Sequence, residues 1–280
     1  MDYIEYQDKV LRRKALEYQF LKYFQNHGYT VIDLHFIERL NWQQLTQDDL
    51  ESMSTRSIWK NGQNFYALRN DWTDQLQHYA RTYDLNFKRA VYAGPIANNE
   101  HINSNLGIEV FNPSYEDMLT SFQYMLQFVR EEMQQPVDFA VIGHYQLLDL
   151  LLTQSEQTPE ILKLINERNI SELSQRLTPT HPLITLLNQP THVQLDYIPS
   201  LIPNEHPTYL SLLRWSEELR RAGIESIHLD ITTMPPKSYY IGSFMQLFTN
   251  NQSEPVMSGG HYAGEIEGFG FGIKLDWEVV

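Results

Sequence analysis

Asn61-Gly62 is flanked by two runs of strand-forming residues, at 57–60 and 64–69. Both central positions tolerate the positive φ that a two-residue hairpin turn demands, so a hairpin is expected there. Other strand-like runs also follow one another across short connections. Residues 88–96 and 107–112 read as two strands joined by a polar loop at 97–106, and runs at 238–248, 254–257 and 269–275 close the chain. A doubly wound parallel sheet needs regular alternation of strand and helix. This order excludes that architecture and favours an α+β fold, a mostly antiparallel sheet flanked by helices.

The helices are marked by periodicity and by their ends. Val10, Leu11, Leu16, Phe20, Leu21 and Phe24 recur at helical spacing and predict a helix over 8–26, stopped at Gly28. YTVIDL at 29–34 reads as a strand. Thr46 with Asp49 three residues on marks a helix start, and a further helix is expected over 73–81. A long helix over 114–134 buries Met118, Phe122, Met125, Leu126 and Val129, and Pro136 ends it. A buried strand follows at 137–142. From 145 to about 190 the texture changes to short leucine-rich helical pieces broken at Pro159, Pro179, Pro182 and Pro190. These predict a small helical insertion within a single domain spanning 1–280. A strand at 192–198, a helix at 207–222 stopped by Gly223, and a strand at 226–231 complete the expected elements.

Composition narrows the chemistry. The 280 residues include no cysteine, which excludes thiol catalysis, iron–sulfur ligation and thiolate zinc sites. With 21 Lys+Arg against 35 Asp+Glu, the formal charge is −14, and such a body is a poor general binder of nucleic acid. No segment approaches the roughly 18 apolar residues of a membrane span. The first residues, MDYIEYQD, carry no apolar signal core, so the cytoplasm is the expected compartment. The ten histidines show no paired-ligand spacing, and neither a nucleophile elbow nor a phosphate-binding loop is present. No metal and no cofactor are expected. The densest glycine signals are SGGHY at 258–262 and GFGFG at 268–272, which read as a tight turn followed by a strand approached closely by backbone or ligand. On their own, Tyr239-Tyr240 reads as strand packing, and Asp71 near Thr73 as a helix cap.

Taken in order, six short pieces form one pattern: LRNDWT at 68–73, YAGPIANNE at 92–100, NLGIEVFN at 105–112, SYYIGSF at 238–244, SGGHYAG at 258–264 and GFGI at 270–273. The chain resembles the catalytic core of histidyl-tRNA synthetase, a class II aminoacyl-tRNA synthetase. That resemblance implies the class II fold: an antiparallel sheet of six or seven strands flanked by helices, usually dimeric. It also implies a pocket for an amino acid built from Asp71, Thr73, Asn98, Glu100, Asn105, Glu109, Tyr239, Tyr240, Gly259, Gly260 and His261. Asp71 and Thr73 would meet the ammonium group, and Glu109 the imidazole ring or the ammonium. Tyr239 and Tyr240 would wall the ring. Lys237, or the backbone amides of Gly259 and Gly260, would have to meet the carboxylate.

The departures from the synthetase pattern point away from catalysis. Where the synthetase reads LRPEGT, Asp71 replaces the glutamate, although Thr73 is kept. The phosphate-gripping arginine of the second motif is Asn98, while Glu100 remains, and the loop that follows is shortened to 101–104. The arginine expected before the tyrosine pair is missing from Met234-Pro235-Pro236-Lys237. His261 stands for another arginine, and the last is lost in the run Lys274-Leu275-Asp276-Trp277. Adenylyl transfer needs positive charge around the developing phosphate charge, and loss of one donor typically costs about a hundredfold or more. No catalytic residue is therefore expected. The chain ends near 280, so no anticodon-binding domain is expected.

These features together resemble the regulatory subunits of ATP phosphoribosyltransferase. The resemblance implies a non-catalytic subunit that acts in the first step of histidine biosynthesis. It implies a short-form catalytic subunit as partner, a homodimer within a hetero-oligomer, and a link to feedback inhibition by histidine. The alternatives are a divergent class II aminoacyl ligase and a synthetase-like binding module of unrelated purpose.

Overall fold

The computed structural model describes residues 8–41, 43, 45–98 and 101–275. The chain forms two compact units, Met1–Gln135 with Ala263–Val280, and Pro136–Tyr262. Among the described residues, no helix is long and apolar enough to cross a membrane.

The first unit opens with α1 (Asp8–Asn26), over the range the periodicity predicts. It buries Phe20 and Phe24, and Phe20 meets Phe128 edge-on at 5.0 Å between ring centroids. Gly28 follows at φ +83, a left-handed position that glycine adopts at little cost. Only Thr30–Val31 of the expected 29–34 strand is paired, as β1. Next come β2 (Ile37–Leu40) and α2 (Gln47–Ser52), whose capping box joins Thr46 and Asp49 reciprocally. The hairpin is β3 (Ile58–Asn61) and β4 (Asn64–Leu68), with Gly62 at φ +61 in its turn. β2, β4 and β3 form a small antiparallel sheet.

After β4 come α3 (Trp72–Ala80), β5 (Arg89–Asn98), β6 (His101–Phe111) and α4 (Tyr115–Gln127). α4 starts at a Ser114–Asp117 capping box and ends in one π-helical turn, Phe128–Glu132. The polar loop expected at 97–106 is corrected here. β5 and β6 stay in register from Arg89↔Val110 to Asn98↔His101, so 101–104 is strand as well. Its polarity has a structural purpose: Ser104 donates to the Glu17 carboxylate of α1 at 2.6 Å, and Arg13 and Lys14 bond the same carboxylate.

The second unit contains β7 (Phe139–His144), then the helical segment: α5 (Leu147–Leu151), α6 (Pro159–Asn166), α7 (Ile170–Arg176) and α8 (Pro182–Leu187). Pro159 and Pro182 occupy first-turn positions, where the missing N–H costs nothing, so they start helices rather than break them. The strand expected at 192–198 is instead α9 (Gln194–Tyr197). Leu195 and Ile198 are buried three residues apart, a helical spacing, and the Gln194 side-chain amide donates to the Gln189 carbonyl. α10 (Pro207–Arg221), β8 (Ser226–Leu229), β9 (Tyr240–Phe248) and β10 (Met257–Ala263) follow. β7 pairs with β8 in parallel and with β9 antiparallel, and β9 pairs antiparallel with β10. The final strand, β11 (Glu267–Leu275), belongs to the first unit and pairs antiparallel with β6. β1 runs parallel to β5, so antiparallel pairs dominate with a parallel pair in each unit.

Candidate functional site

The sheet face of the first unit is set by alternation along β6. Asn105, Gly107 and Glu109 lie two residues apart and so share one face. Opposite them on β5 stand Gly94, Tyr92 and Ala90, and on β11 stand Lys274, Gly272 and Gly270. Glu109 is only 2% exposed. Thr73 Oγ1 donates to its Oε1 at 2.8 Å, and the Tyr92 hydroxyl donates to the same oxygen at 3.1 Å. Two glycines make this arrangement possible. A Cβ on Gly270 would lie 2.0 Å from Glu109 Oε2, and one on Gly107 would lie 2.3 Å from the Tyr92 ring.

α3 carries the opposing residues. Asp71 is its N-cap and accepts from the Asp74 amide at 2.7 Å, as the isolated Asp71-x-Thr73 spacing suggests. Trp72 lies flat on Tyr92, with centroids 4.4 Å apart and planes 15° from parallel. The Arg69 guanidinium covers the other side of the indole at 3.3 Å. Arg69 is buried, donates to the carbonyls of Pro95 and Leu34, and is pushed by burial down to about 10. Thus Arg69, Trp72, Tyr92, Glu109 and Thr73 form one continuous column. Asn70 Oδ1, Trp72 Nε1 and Asn105 Oδ1 are buried polar atoms without a hydrogen-bond partner. Buried polar groups are seldom left this way, which makes these atoms candidate contacts for a water or a polar ligand.

Of the expected site residues, Asp71, Thr73, Asn105 and Glu109 come together around this column. Asn98 does not. It is exposed and stands eight residues along β5 from Ala90, the partner of Glu109, or roughly 26 Å of strand. Glu100, like Asp276 and Trp277, lies outside the described residues.

The others belong to the second unit. Tyr239 and Tyr240 touch at 4.9 Å, and each packs edge-on against Tyr262 at 6.2 Å. The SGGHY segment is not a turn: Gly259 and Gly260 lie inside β10 opposite Met245 and Phe244, and the register shifts between Gly260 and Tyr262, at His261. A Cβ on Gly260 would stand 2.9 Å from the Ser243 carbonyl, so glycine is needed for close strand approach, not for turning. The His261 ring covers Gly242, whose added Cβ would lie 2.7 Å from Nδ1. Burial, then the nearby His261 and His206, push His144 down to about 4. Lys237 sits in the turn before β9, where its carbonyl accepts from the Tyr240 amide.

A second polar cluster lies at the far end of α3. His78 Nδ1 meets Glu38 Oε1 at 2.6 Å, and Nε2 meets Asp49 Oδ1 at 2.9 Å. Arg56 bonds the other Glu38 oxygen. Burial alone would lower the ring's pKa, but the two carboxylates outweigh it and raise it to about 10. His78 is therefore an imidazolium, and this cluster is an ion network that ties α3 to β2 and α2. Asp49, Asp74 and His78 also bring their ligand atoms within 4.8 Å of one another. As both ring nitrogens already engage carboxylates, a metal ion there would have to displace a proton. A cleft of about 1700 Å³ runs past Asp33, Glu38, Arg39, Tyr79 and Tyr83 and reaches Arg69 and Gly94, whereas neither Thr73 nor Glu109 lines it.

Sequence reasoning gave Tyr92, Trp72 and Arg69 no role, although all three lie inside the quoted motifs. The signal was Tyr92 two residues before Gly94, with Gly107 two residues before Glu109: large and absent side chains alternating on paired strands.

The family model described as histidyl-tRNA synthetase matches residues 6–276. An ATP phosphoribosyltransferase regulatory subunit of Staphylococcus aureus (strain Newman) is 41% identical over 269 residues, covering 96% of this chain and 98% of that protein. Two solved structures share the fold at low identity. An ATP phosphoribosyltransferase regulatory subunit/histidyl-tRNA synthetase from Bacillus halodurans aligns at TM-score 0.80 and 16% identity, over 98% of this chain and 79% of that one. A chain of the ATP phosphoribosyl transferase (HisG:HisZ) complex from Thermotoga maritima aligns at TM-score 0.72 and 16% identity, over 94% of this chain and 97% of that one.

Proposed function

Since the chain belongs to the family of ATP phosphoribosyltransferase regulatory subunits, we propose that it assembles with a short-form catalytic subunit and is required for that subunit's activity in the first step of histidine biosynthesis. The observation that carries this reading is the 41% identity along almost the whole of both chains. The fold matches a histidyl-tRNA synthetase core, and Asn98 and His261, standing where the resemblance expects arginines, support a role without adenylation. The first-unit site is a receptor for free histidine, with Glu109 meeting the ring and Asp71 and Thr73 lying toward the ammonium. Its unpartnered Asn105 Oδ1 and Trp72 Nε1 support a ligand rather than a sealed core. Histidine bound there is the feedback signal, acting through contacts that differ between free and inhibited assemblies.

The protein itself carries out no catalysis and works in the cytoplasm as a homodimer within the hetero-oligomer. The apolar side chains left exposed on the first unit, Leu11 and Tyr18 on α1 with Val31 and Ile37, supply a surface for the second copy. Co-expression with the short catalytic subunit tests the central claim. A stable complex is expected, active only when both proteins are present and inhibited by histidine. Full activity of the catalytic subunit alone would overturn it.

A further inference from the structure

Trp72 stands where the synthetase pattern has the glycine of LRPEGT, so its indole is a feature of this chain rather than of that motif. The ring is 1% exposed, and its N–H has no acceptor. The direction of that N–H edge follows from Gly94. A Cβ on Gly94 would lie 3.2 Å from Trp72 Cζ2, the ring carbon next to the one that bears Nε1. Gly94 is directly opposite Asn105 in the β5–β6 ladder, and directly opposed residues project to the same face. A buried donor on Trp72 and a buried acceptor on Asn105 therefore share the floor at Gly94, and neither is satisfied.

The charge that lies against the indole face is positive. The Arg69 guanidinium lies 3.3 Å over the indole, and the carboxylate recorded nearest to it, that of the exposed Asp33, is 4.0 Å away. A cation against the ring face withdraws electron density and makes the indole N–H a stronger donor. A free amino acid carries a carboxylate and an ammonium on one carbon, which matches a reinforced donor beside an acceptor.

We infer that Trp72 Nε1–H receives the α-carboxylate of the bound amino acid, with Arg69 supplying the field and Asn105 Oδ1 joining Asp71 and Thr73 around the ammonium. This rests on reading the first-unit site as a histidine receptor, and it supplies the carboxylate partner that the lost arginines leave without an obvious replacement. Because the N–H edge is covered, binding goes with movement at the β4–α3 junction.

The test pairs two ligands with one substitution. Histidinol keeps the ring and ammonium of histidine and replaces the carboxylate by CH2OH. Calorimetry is run on the chain alone and on its complex with the catalytic subunit. The natural protein is expected to prefer histidine to histidinol about tenfold or more, the scale of one hydrogen bond to a charged group. Trp72→Phe keeps the stack on Tyr92 and is expected to lower histidine affinity about tenfold while leaving histidinol within about twofold. Unchanged histidine affinity in Trp72→Phe overturns the inference and leaves the receptor reading standing. So does an equal loss for both ligands, which is the mark of a packing role. Binding of neither ligand by the natural protein, alone or in complex, overturns both. Should Trp72→Phe fail to fold, the indole proton resonance of Trp72 in the natural protein decides: a downfield shift with histidine and none with histidinol is expected, and a resonance that histidine leaves unmoved overturns the inference.

Discussion

Thr73 donates its hydroxyl to Glu109 Oε1 at 2.8 Å, tying the first turn of α3 to the C-terminal end of β6. The Tyr92 hydroxyl shares that oxygen, so the carboxylate orientation is fixed before any ligand arrives. Preorganised charge of this kind favours a ligand N–H more than a mobile side chain would. Glu109→Gln keeps the shape and an acceptor for both hydroxyls but loses the charge. Histidine affinity is expected to fall about tenfold to a hundredfold, with the unfolding midpoint little changed. Isothermal calorimetry and thermal melts check the two halves. Glu109→Ala differs: it removes the shared acceptor of two buried hydroxyls and is expected to cost about 1–3 kcal/mol of stability as well.

Glycine spacing on β11 gives a sharper contrast. A Cβ at Gly270 would stand 2.0 Å from Glu109 Oε2, whereas at Gly272 the nearest atom is the Leu106 carbonyl at 3.8 Å. Gly270→Ala is expected to displace the carboxylate, abolish the histidine response and cost about 1–3 kcal/mol through overpacking. Gly272→Ala, two residues along the same face, is expected to leave both within experimental error. Equal tolerance of the two would show that Glu109 adjusts freely.

His78 makes stability depend on alkaline pH. Its folded value, about 10, lies above the ordinary histidine value of 6.5. A raised value means the folded state holds the proton more tightly. The stabilisation is complete below about 6.5, declines as pH rises, and is gone above about 10. Glu38 and Asp49 behave oppositely: hydrogen bonds from His78 outweigh burial and hold both below the usual carboxylate range, so their contribution is lost as pH falls. Urea unfolding is expected to show stability dropping between pH 7 and 10 in the natural protein and a flatter profile in His78→Gln. That variant takes the imidazolium from the buried Asp49 and leaves Glu38 with Arg56 alone, and it should lose about 3 kcal/mol at pH 7. An unchanged slope in the variant would remove His78 as the cause.

The long periodic helices and the Asn61-Gly62 hairpin were legible because local chemistry alone specifies them. α1 and the Thr46 and Ser114 caps need no tertiary partner to be recognised. Residues 101–104 were not legible, because their polarity is answered by Glu17, 87 residues away from Ser104 in sequence. α9 was misread as a strand because a four-residue helix is too short to show its period. At the site, Thr73 and Glu109 could be placed through the motif resemblance. The column of Arg69, Trp72 and Tyr92 could not, since stacking depends on how α3 lies over β5, which no local pattern encodes.

The exposed apolar surface of α1 predicts self-association. Leu11 is 68% exposed and Tyr18 67%, seven residues apart and so on one side of the helix. A Leu11→Glu, Tyr18→Glu double variant adds charge without touching the buried Phe20 and Phe24. Sedimentation is expected to move from dimer to monomer, with far-UV circular dichroism preserved. A dimer that survives at micromolar concentration would place the contact elsewhere.

The remaining prediction is that the protein cannot activate histidine. Adenylate formation places negative charge on a phosphorus centre that in the synthetase pattern is met by arginines. Here Asn98 is an exposed neutral side chain at the end of β5. His261, standing where an arginine is expected, lies in β10 against Gly242. Each missing donor costs about a hundredfold or more, and two or three together put the rate beyond detection. Histidine-dependent exchange of pyrophosphate into ATP is therefore expected at background level for the natural protein. Restoring a single cation, as in His261→Arg, is expected to leave it there, because one of several cooperating donors cannot hold a triphosphate in line for attack. Exchange at enzyme-like rates in the natural protein would instead identify it as a divergent ligase.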